Sequence, residues 1–299
     1  MRRTQPERDR GSRNAPLRLI VPPVKERGHG TGAVNEGRRL DADLHVRSVG
    51  RAVAILEQFT LDRPEPTLTE ISIGIGLSKS TTHRLLTTLD AAEMVEFDRR
   101  SLRYRLGLKV FRLGSVASKS MDLVKQAEPL LRSIAEETDE TSLLLVADGQ
   151  QALCLLRFDG DYQVRVLFSE PGKHSAFNIG AAQRVLLAHL PEDQWEEVVA
   201  HHARRMTQYS LVTRDELERD RREIQEHGYA VSWEDIILHA CGLGAPVRDA
   251  EGSVVAAVSI SGIVQRFSAE RLPLLIRRIM QLGDDLSHRL GYTGHGAGQ

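Results

Sequence analysis

Apolar residues near the start of the regularly patterned part of the chain recur at helical spacing. Four of them fall on one face of a predicted helix, at intervals of four, three and three residues: Val49, Val53, Leu56 and Phe59. The two prolines of "LDRPEPTL" end this helix, because proline lacks the amide hydrogen that a helix interior requires. A second, short helix is predicted from Thr69 to Gly76.

The stretch "GLSKSTTHRLL" begins as a turn and continues as a third helix. Ser78 is a favourable N-cap, so this helix is predicted to run from Lys79 to about Ala92. Its buried stripe consists of Thr82, Leu85, Leu86 and Leu89. Because successive residues are rotated by about 100°, the opposite face and its flanks carry basic and hydroxyl side chains. These are Lys79, Ser80, Thr81, His83, Arg84 and Thr87.

A small hairpin follows the third helix. The stretch "MVEFDRRSLRYRLG" predicts two strands around a turn from Asp98 to Ser101, with arginines at and after the tip: Arg99, Arg100 and Arg103. Three helices and an arginine-bearing hairpin form a winged helix-turn-helix, whose third helix enters the DNA major groove. Arg84 then suits a guanine or a phosphate, and Ser80 and Thr81 suit phosphates or base edges. The alternative is an ordinary solvated helix.

The helix after the hairpin has an apolar stripe of its own: Leu106, Val110, Leu113 and Ala117. Such a stripe belongs either to a core or to a seam with a partner chain. A further helix is predicted from Pro129 to Glu137. Apolar strands follow in "TSLLLVADGQQALCLLRF", around an Asp-Gly turn, and in "YQVRVLF".

The rest of the chain mixes helices and strands. Helices are predicted from Gly180 to His189, after Pro191 and after the capping box "TRDE", and a last helix is predicted to be capped by Ser268. Strands are predicted in "YAVSWE", "GLGAPVRD" and "SVVAAVSISG". Antiparallel hairpins combined with helices indicate an α+β domain.

Composition adds limits to this picture. At 299 residues the chain exceeds what one core usually holds, which favours two domains. A net charge of -1 gives no support for nucleic acid binding, so local charge must decide. Two cysteines exclude a disulfide framework and favour a reducing compartment. Without an apolar run of about 20 residues or an export signal, we expect a cytoplasmic protein and no membrane partner.

Residues 1–45 are rich in Arg, Pro and Gly and lack a sustained apolar period. Such a segment buries too little apolar surface to offset its ordering entropy, so a disordered basic arm is predicted. It is either a solvated tail, or a consequence of a misassigned start codon, or a non-specific phosphate-binding arm.

Several stretches resemble the IclR family of bacterial transcription regulators. The amino-terminal ones are "SVGRAVAILEQF", "LTEISIGIGLSKSTTHRLLTTL" and "YRLGLKVFRLG"; the later ones are "IGAAQRVLLAHLP" and "HGYAVSWEDIILHACGLGAPVRDAEGSVVAAVSISG". The resemblance implies a winged helix-turn-helix at 46–106, a linker and dimerisation helix at 107–125, a GAF-like α/β effector domain at 126–292 and a flexible tail at 293–299. It also implies that the protein controls metabolic or catabolic genes, and we interpret it as a repressor. A homodimer or homotetramer is expected to bind operator DNA at the nucleoid.

The same resemblance implies an effector pocket for a small molecule, often an organic or aromatic acid. Matched by motif, its residues here are Gly180, Ala181, Glu234, Asp235, Cys241, Gly242, Ser259 and Ser261. A helix N-terminus attracts a carboxylate, and alternate residues of one strand share a face, so this arrangement is physically reasonable. Glu234 and Asp235 either orient the ligand or cap a loop. Many members have Gly-Lys where this chain has Gln183 and Arg184, so the ligand cannot be transferred from a relative.

Two other function classes remain as alternatives. In the first, the helix-turn-helix serves protein contacts in an interaction or ligand-sensing module. In the second, the effector pocket is an active site, but no catalytic residues, cofactor or metal are predicted. His239 with Cys241, and His201 with His202, lack the further spaced ligands of a zinc site, and no phosphate-binding glycine loop occurs. Cys241 as a redox switch is a weaker option, because buried cysteines are usually inert.

Overall fold

The computed structural model describes residues 46–161 and 168–294, without the side chains of residues 118–120. The predicted arm at 1–45 lies outside the described residues, as do most of the predicted strand "YQVRVLF" and the end of the predicted tail. Within the described residues, no helix combines the length and the apolar character that crossing a membrane requires.

The amino-terminal elements confirm the predicted winged helix-turn-helix. Three helices and an antiparallel hairpin follow in order: α1 (Arg47–Leu56), α2 (Leu68–Gly74), α3 (Lys79–Ala91), β1 (Val95–Asp98) and β2 (Arg103–Leu106). Thr67 and Glu70 form a reciprocal capping box at the start of α2, which satisfies amides that a helix end leaves unpaired. The core of this unit contains Ile55, Ile71, Leu86, Leu89, Val95 and Tyr104.

Two helices follow the hairpin: α4 (Leu108–Ser120) and α5 (Asp122–Thr138). The predicted start of α5 at Pro129 is wrong, because Pro129 lies inside the helix. Proline costs an interior helix one hydrogen bond. The burial of Val124, Ala127 and Leu131 on one face offsets that cost, because burying a valine or leucine side chain contributes about 1.5–3 kcal/mol.

The remaining elements build a six-stranded sheet and its helices. In chain order they are β3 (Thr141–Asp148), β4 (Gln151–Phe158), β5 (His174–Ala176), α6 (Ala181–Ala188), α7 (Glu192–His201), α8 (Arg214–His227), β6 (Ala230–Trp233), β7 (Ala240–Arg248), β8 (Val254–Ile263) and α9 (Leu272–Arg289). The strand order is β5-β4-β3-β8-β7-β6, and every neighbouring pair is antiparallel.

Helices cover both faces of this sheet. One core joins the sheet to α6, α7 and α8, and includes the fully buried Trp195 and Phe177. The other joins it to α5 and α9, and includes Leu131 and Ile279. Strands that are apolar on both faces, as in "TSLLLV", follow from this double coverage. The structure therefore confirms the predicted α+β class for this part of the chain.

Two local predictions fail. Ser268 is not the N-cap of the last helix, because α9 begins at Leu272, after a short 3-10 helix at Val264–Arg266. Ser268 instead accepts a hydrogen bond from the amide of Arg271 at 3.4 Å. No strand was predicted between "YQVRVLF" and Gly180, but residues His174–Ala176 pair with β4 as a short edge strand.

Candidate DNA-binding surface and effector cavity

Helix α3 is fixed by a narrow buried stripe. Thr82, Leu86 and Leu89 are buried and Leu85 is half-buried, which confirms the predicted stripe. The hydroxyl of Thr82 donates to the carbonyl of Ser78 at 3.0 Å, so this polar side chain is satisfied inside the core. Packing of this stripe on α1 and α2 determines which face of α3 meets solvent.

The opposite face of α3 is open and free of acidic groups over its first two turns. Lys79, Ser80, His83, Arg84 and Thr87 are exposed there, and Thr81 is half-buried. No acidic residue occurs in the first turn. The helix N-terminus adds its own partial positive charge at this end. All six residues of the sequence-predicted face are therefore brought together, with a combination of charge and donors that suits a polyanion.

A hydroxyl cluster orders the beginning of α3. The Ser78 Oγ accepts from the amide of Thr81 at 3.3 Å and lies 3.1 Å from the Ser80 Oγ and 2.9 Å from the Thr81 Oγ1. Ser78 is thus the N-cap, as predicted. Because the three hydroxyls share hydrogen bonds, Ser80 and Thr81 hold defined positions before any partner arrives.

The wing divides its three arginines between two environments. Arg99 and Arg100 are exposed in the turn, where Asp98 accepts from the Ser101 hydroxyl at 2.6 Å and from the Arg100 amide at 2.9 Å. These hydrogen bonds lower the pKa of Asp98. The guanidinium of Arg103 points to the protein instead and donates to the carbonyl of Glu65 at 2.7 Å. Arg103 therefore attaches the wing to the segment before α2.

A small cavity of about 30 Å³ lies between the start of α6 and the sheet. Seven of the eight predicted effector residues line it: Gly180, Ala181, Asp235, Cys241, Gly242, Ser259 and Ser261. The prediction missed other lining residues, among them Gln183 and Ser232. Sequence signals existed for both. Gln183 follows Gly180 by three residues, which places both on one helix face, and the strand alternation of "YAVSWE" marks Ser232.

Asp235 lies beside the N-terminus of α6. Its Oδ2 accepts from the Gly180 amide at 3.2 Å and from the Arg184 Nη1 at 3.3 Å, while Ser232 donates to Oδ1. The Arg184 Nε also donates to Asp220 at 2.8 Å. The amide of Gly180, the N-cap residue of α6, is therefore engaged by a side chain of the protein itself.

Glu234 lies outside the cavity lining and closes a loop. Its carboxylate accepts from the amide of His239 at 2.7 Å, and both residues adopt left-handed backbone conformations, with φ of 55° and 64°. The hydroxyls of Thr207 and Ser210 donate to the carbonyls of Glu234 and Asp235 at 2.6 and 2.7 Å. Of the acidic pair, Glu234 caps the loop and Asp235 faces the cavity.

The cysteines are protonated at neutral pH. Burial, and then the negative charge of Asp235, raise the pKa of Cys241 to about 12. Burial raises the pKa of Cys154 to about 12 as well. Since the thiolate is the reactive form, neither thiol suits a redox switch. Among the described residues, no cluster of three or more His, Cys, Asp or Glu side chains could hold a metal ion.

A wing and an open cationic helix on a three-helix unit define a protein that binds duplex DNA. A separate domain with a polar cavity adds the capacity to bind a small molecule. The family model for the IclR helix-turn-helix domain matches residues 48–99 of the chain. The family model for the bacterial transcriptional regulator IclR C-terminal domain matches residues 115–288.

The chain belongs to the IclR family of bacterial transcriptional regulators, as the sequence predicted. It is therefore a DNA-binding transcriptional regulator with an effector-binding carboxy-terminal domain. Family membership also confirms the expectation that it is not an enzyme.

Three similar proteins illustrate this relationship. The regulator BhcR of Paracoccus denitrificans is 31% identical over 87% of this chain and 91% of its own length. The repressor AllR of Escherichia coli is 27% identical over 83% of this chain and 92% of its own length. An IclR homologue from Microbacterium hydrocarbonoxydans, solved with 4-hydroxybenzoate, has a TM-score of 0.72 at 23% identity, over 81% and 98% of the two chains.

Proposed function

We propose that this regulator is a repressor whose α3 reads operator DNA and whose cavity binds the effector that controls it. The observation that carries this proposal is the open face of α3, with Lys79, Arg84 and hydroxyl groups but no acid in its first turn. A helix entering the major groove makes its base and phosphate contacts from its amino-terminal half. Operator occupancy would then exclude polymerase from the regulated metabolic genes.

Different residues of the surface have different tasks in this proposal. Arg84, Ser80 and Thr81 touch base edges or phosphates in the groove, and His83 and Thr87 flank them. Lys79, Arg99 and Arg100 bind the DNA backbone, because their charged groups are exposed where the backbone is expected to run. Arg103 supports this indirectly by holding the wing through Glu65.

The decisive test is the affinity of Arg84→Ala for an operator that the parent protein selects from random duplex DNA. We expect a loss of about 1–3 kcal/mol of binding free energy, the value of one specific arginine contact. Fluorescence anisotropy measures the affinity. Arg222→Ala is the matched control, because Arg222 is exposed on α8 and pairs only with Glu218 of its own helix in the contacts observed. Equal affinity of parent and Arg84→Ala would remove α3 as the recognition helix.

Salt separates this proposal from an interaction module. Phosphate contacts release counterions, so the affinity of a DNA-binding α3 falls steeply as salt rises. An apolar protein interface lacks this dependence.

We also propose a homodimer, or a tetramer formed from such dimers, that acts at the nucleoid in the cytoplasm. The domain division at 46–106, 107–125 and 126–292 belongs to the same proposal. The division is supported by the end of the wing before α4. The dimer is supported by the exposed apolar side chains of α4, which include Leu108, Phe111 and Val116. Exposed apolar patches of this kind mark protein interfaces.

A further inference from the structure

The tip of the wing carries an exposed leucine beside its arginines. Leu102 is 63% exposed and follows the exposed Arg99 and Arg100 in the turn between β1 and β2. A single exposed leucine is common on protein surfaces, so its backbone and its surroundings must show whether it has a role. Both of them distinguish Leu102 from an ordinary surface leucine.

The backbone of Leu102 adopts a conformation that is unusual for leucine. Asp98 pairs with Arg103, so the tip is a loop that ends at Leu102, and the amide of Leu102 donates to the carbonyl of Asp98 at 2.9 Å. This closure gives Leu102 a φ of 57°, in the left-handed region that favours glycine or asparagine. Because the side chain is exposed, it gains little burial in return. Leucine at this position therefore lowers the stability of the free protein relative to glycine.

The strand after the tip holds the wing in a defined position. Tyr104 is buried in the core of the unit, and its amide donates to the carbonyl of Pro66 at 3.0 Å. The guanidinium of Arg103 donates to the carbonyl of Glu65 at 2.7 Å. These contacts attach the hairpin to the segment before α2. Leu102 is therefore presented by a supported hairpin, close in the chain to the residues that fix it.

An apolar side chain next to exposed cations suits the minor groove of DNA. Phosphates border this groove and bind arginine side chains such as those of Arg99 and Arg100. Proteins that bind the minor groove often insert leucine or another apolar side chain between base pairs, which unstacks that step and bends the duplex. An apolar protein partner would bury Leu102 but would desolvate the neighbouring guanidinium groups without phosphates to pair with them. The local charge therefore favours DNA as the partner.

We infer that Leu102 enters the minor groove of the operator and inserts between two base pairs as an apolar wedge. This inference rests on the proposed function, in which the wing contacts DNA. The unfavourable backbone conformation of Leu102 is retained because its side chain is buried only when DNA is bound. Pyrimidine–purine steps unstack most easily, so the wedge favours such a step at its position in the operator.

Leu102→Gly tests the inference by two measurements on the full-length protein. The thermal unfolding midpoint should rise, because glycine accepts a positive φ without strain. The affinity for the operator selected by the parent protein, measured by fluorescence anisotropy, should fall at least about tenfold, because the burial of a leucine is lost. The bend of the operator, measured by energy transfer between dyes at its two ends, should decrease.

Three further variants separate the side chain from the backbone. Asparagine also tolerates the left-handed region but is polar, so Leu102→Asn should lose affinity and bend as Leu102→Gly does. Methionine is apolar and long enough to insert, so Leu102→Met should retain most of both. Leu274→Ala is the control, because Leu274 is exposed at 52% on α9, outside the proposed DNA-binding surface. Its affinity should equal that of the parent.

The wedge and the proposed function fail in different ways. If Leu102→Gly and Leu102→Asn keep the affinity and bend of the parent while Arg84→Ala and Arg99→Ala lose affinity, the wedge is overturned and the DNA-binding surface stands. A loss of affinity in Leu102→Gly with an unchanged bend would also overturn insertion between base pairs. Parent affinity in all four of these variants would overturn the proposed function together with the wedge.

Discussion

Two glycines of β7 differ in how closely they lie against α6. A β-carbon at Gly244 would lie 2.7 Å from the carbonyl carbon of Ala181 and 2.8 Å from the amide nitrogen of Ala182. These are backbone atoms, so they cannot move aside as a flexible side chain does. Gly242, two residues earlier on the same face, has only ordinary contacts. Gly244 therefore allows α6 to lie close to β7, and Gly242 leaves space for a ligand.

This difference predicts that alanine substitutions at the two glycines have different effects on the free energy of unfolding. Gly244→Ala should lower the free energy of unfolding by about 1–3 kcal/mol, because overpacking forces backbone shifts. Gly242→Ala should leave it nearly unchanged. Denaturant titration of both variants against the parent provides the measurement. Equal stability of the two variants would show that α6 is free to move away from β7.

A capping box begins helix α8. The amide of Glu216 donates to the Thr213 hydroxyl at 3.4 Å, and the Glu216 carboxylate accepts from the amides of Thr213 and Val212 at 2.9 and 3.1 Å. The hydrogen bonds from Thr213 are the main reason that the pKa of Glu216 is lowered. At the other end, Gly228 ends the helix with φ of 77°. The start of α8 was predicted from sequence because a capping box depends on local residue types.

The lowered pKa of Glu216 predicts a pH-dependent stability. A carboxylate that is favoured in the folded state stabilises above its unfolded pKa, and this contribution is lost as pH falls through the folded value. Glu216→Gln should therefore be less stable than the parent at pH 7, with the difference closing in acid. Thermal unfolding across pH measures it. Glu223→Gln, an exposed change on the same helix, should show no such trend; matching curves for both variants would contradict the prediction.

Elements with local signals could be predicted, and elements that depend on distant partners could not. The start of α3 followed from Ser78, and β3 and β4 from the turn at Gly149. The start of α5 was misplaced, because the rule against interior proline is local and the burial that overrides it is tertiary. The edge strand β5 was missed, since its three residues are defined only by pairing with β4.

The candidate site shows the same limit. The cavity residues were found because motif and strand alternation place them on shared faces. The ion pairs of Arg184 could not be found this way, because Asp235 and Asp220 lie 51 and 36 residues from it in the chain. Buried charges find partners through the fold rather than through sequence spacing.

At the scale of the whole molecule, α4 carries an apolar surface that the described part of the chain leaves exposed. Leu108, Phe111 and Val116 are exposed, with 71% of Phe111 accessible. Of the helical stripe predicted from sequence, Leu113 is exposed too and Val110 is half-buried. The prediction is wrong for Leu106, which is the last residue of β2 and lies outside the helix. Exposed stripes on one helix are typical of a seam with a second copy.

Phe111→Glu should therefore weaken self-association by at least about tenfold, because a charge in an apolar seam is desolvated without a partner. Sedimentation velocity over a range of protein concentrations measures the change. Leu274→Glu is the control, since Leu274 is exposed at 52% on α9. An unchanged assembly in Phe111→Glu would exclude α4 from the interface.

Within the described residues, the two outer strands of the six-stranded sheet are also its shortest. β5 has three residues and β6 has four, whereas the four strands between them have eight to ten. A long, flat outer strand offers unpaired amides and carbonyls to other chains and promotes aggregation. Short outer strands limit that risk, so edge-to-edge pairing between sheets is disfavoured, and the self-association that we propose would use side-chain surfaces such as α4.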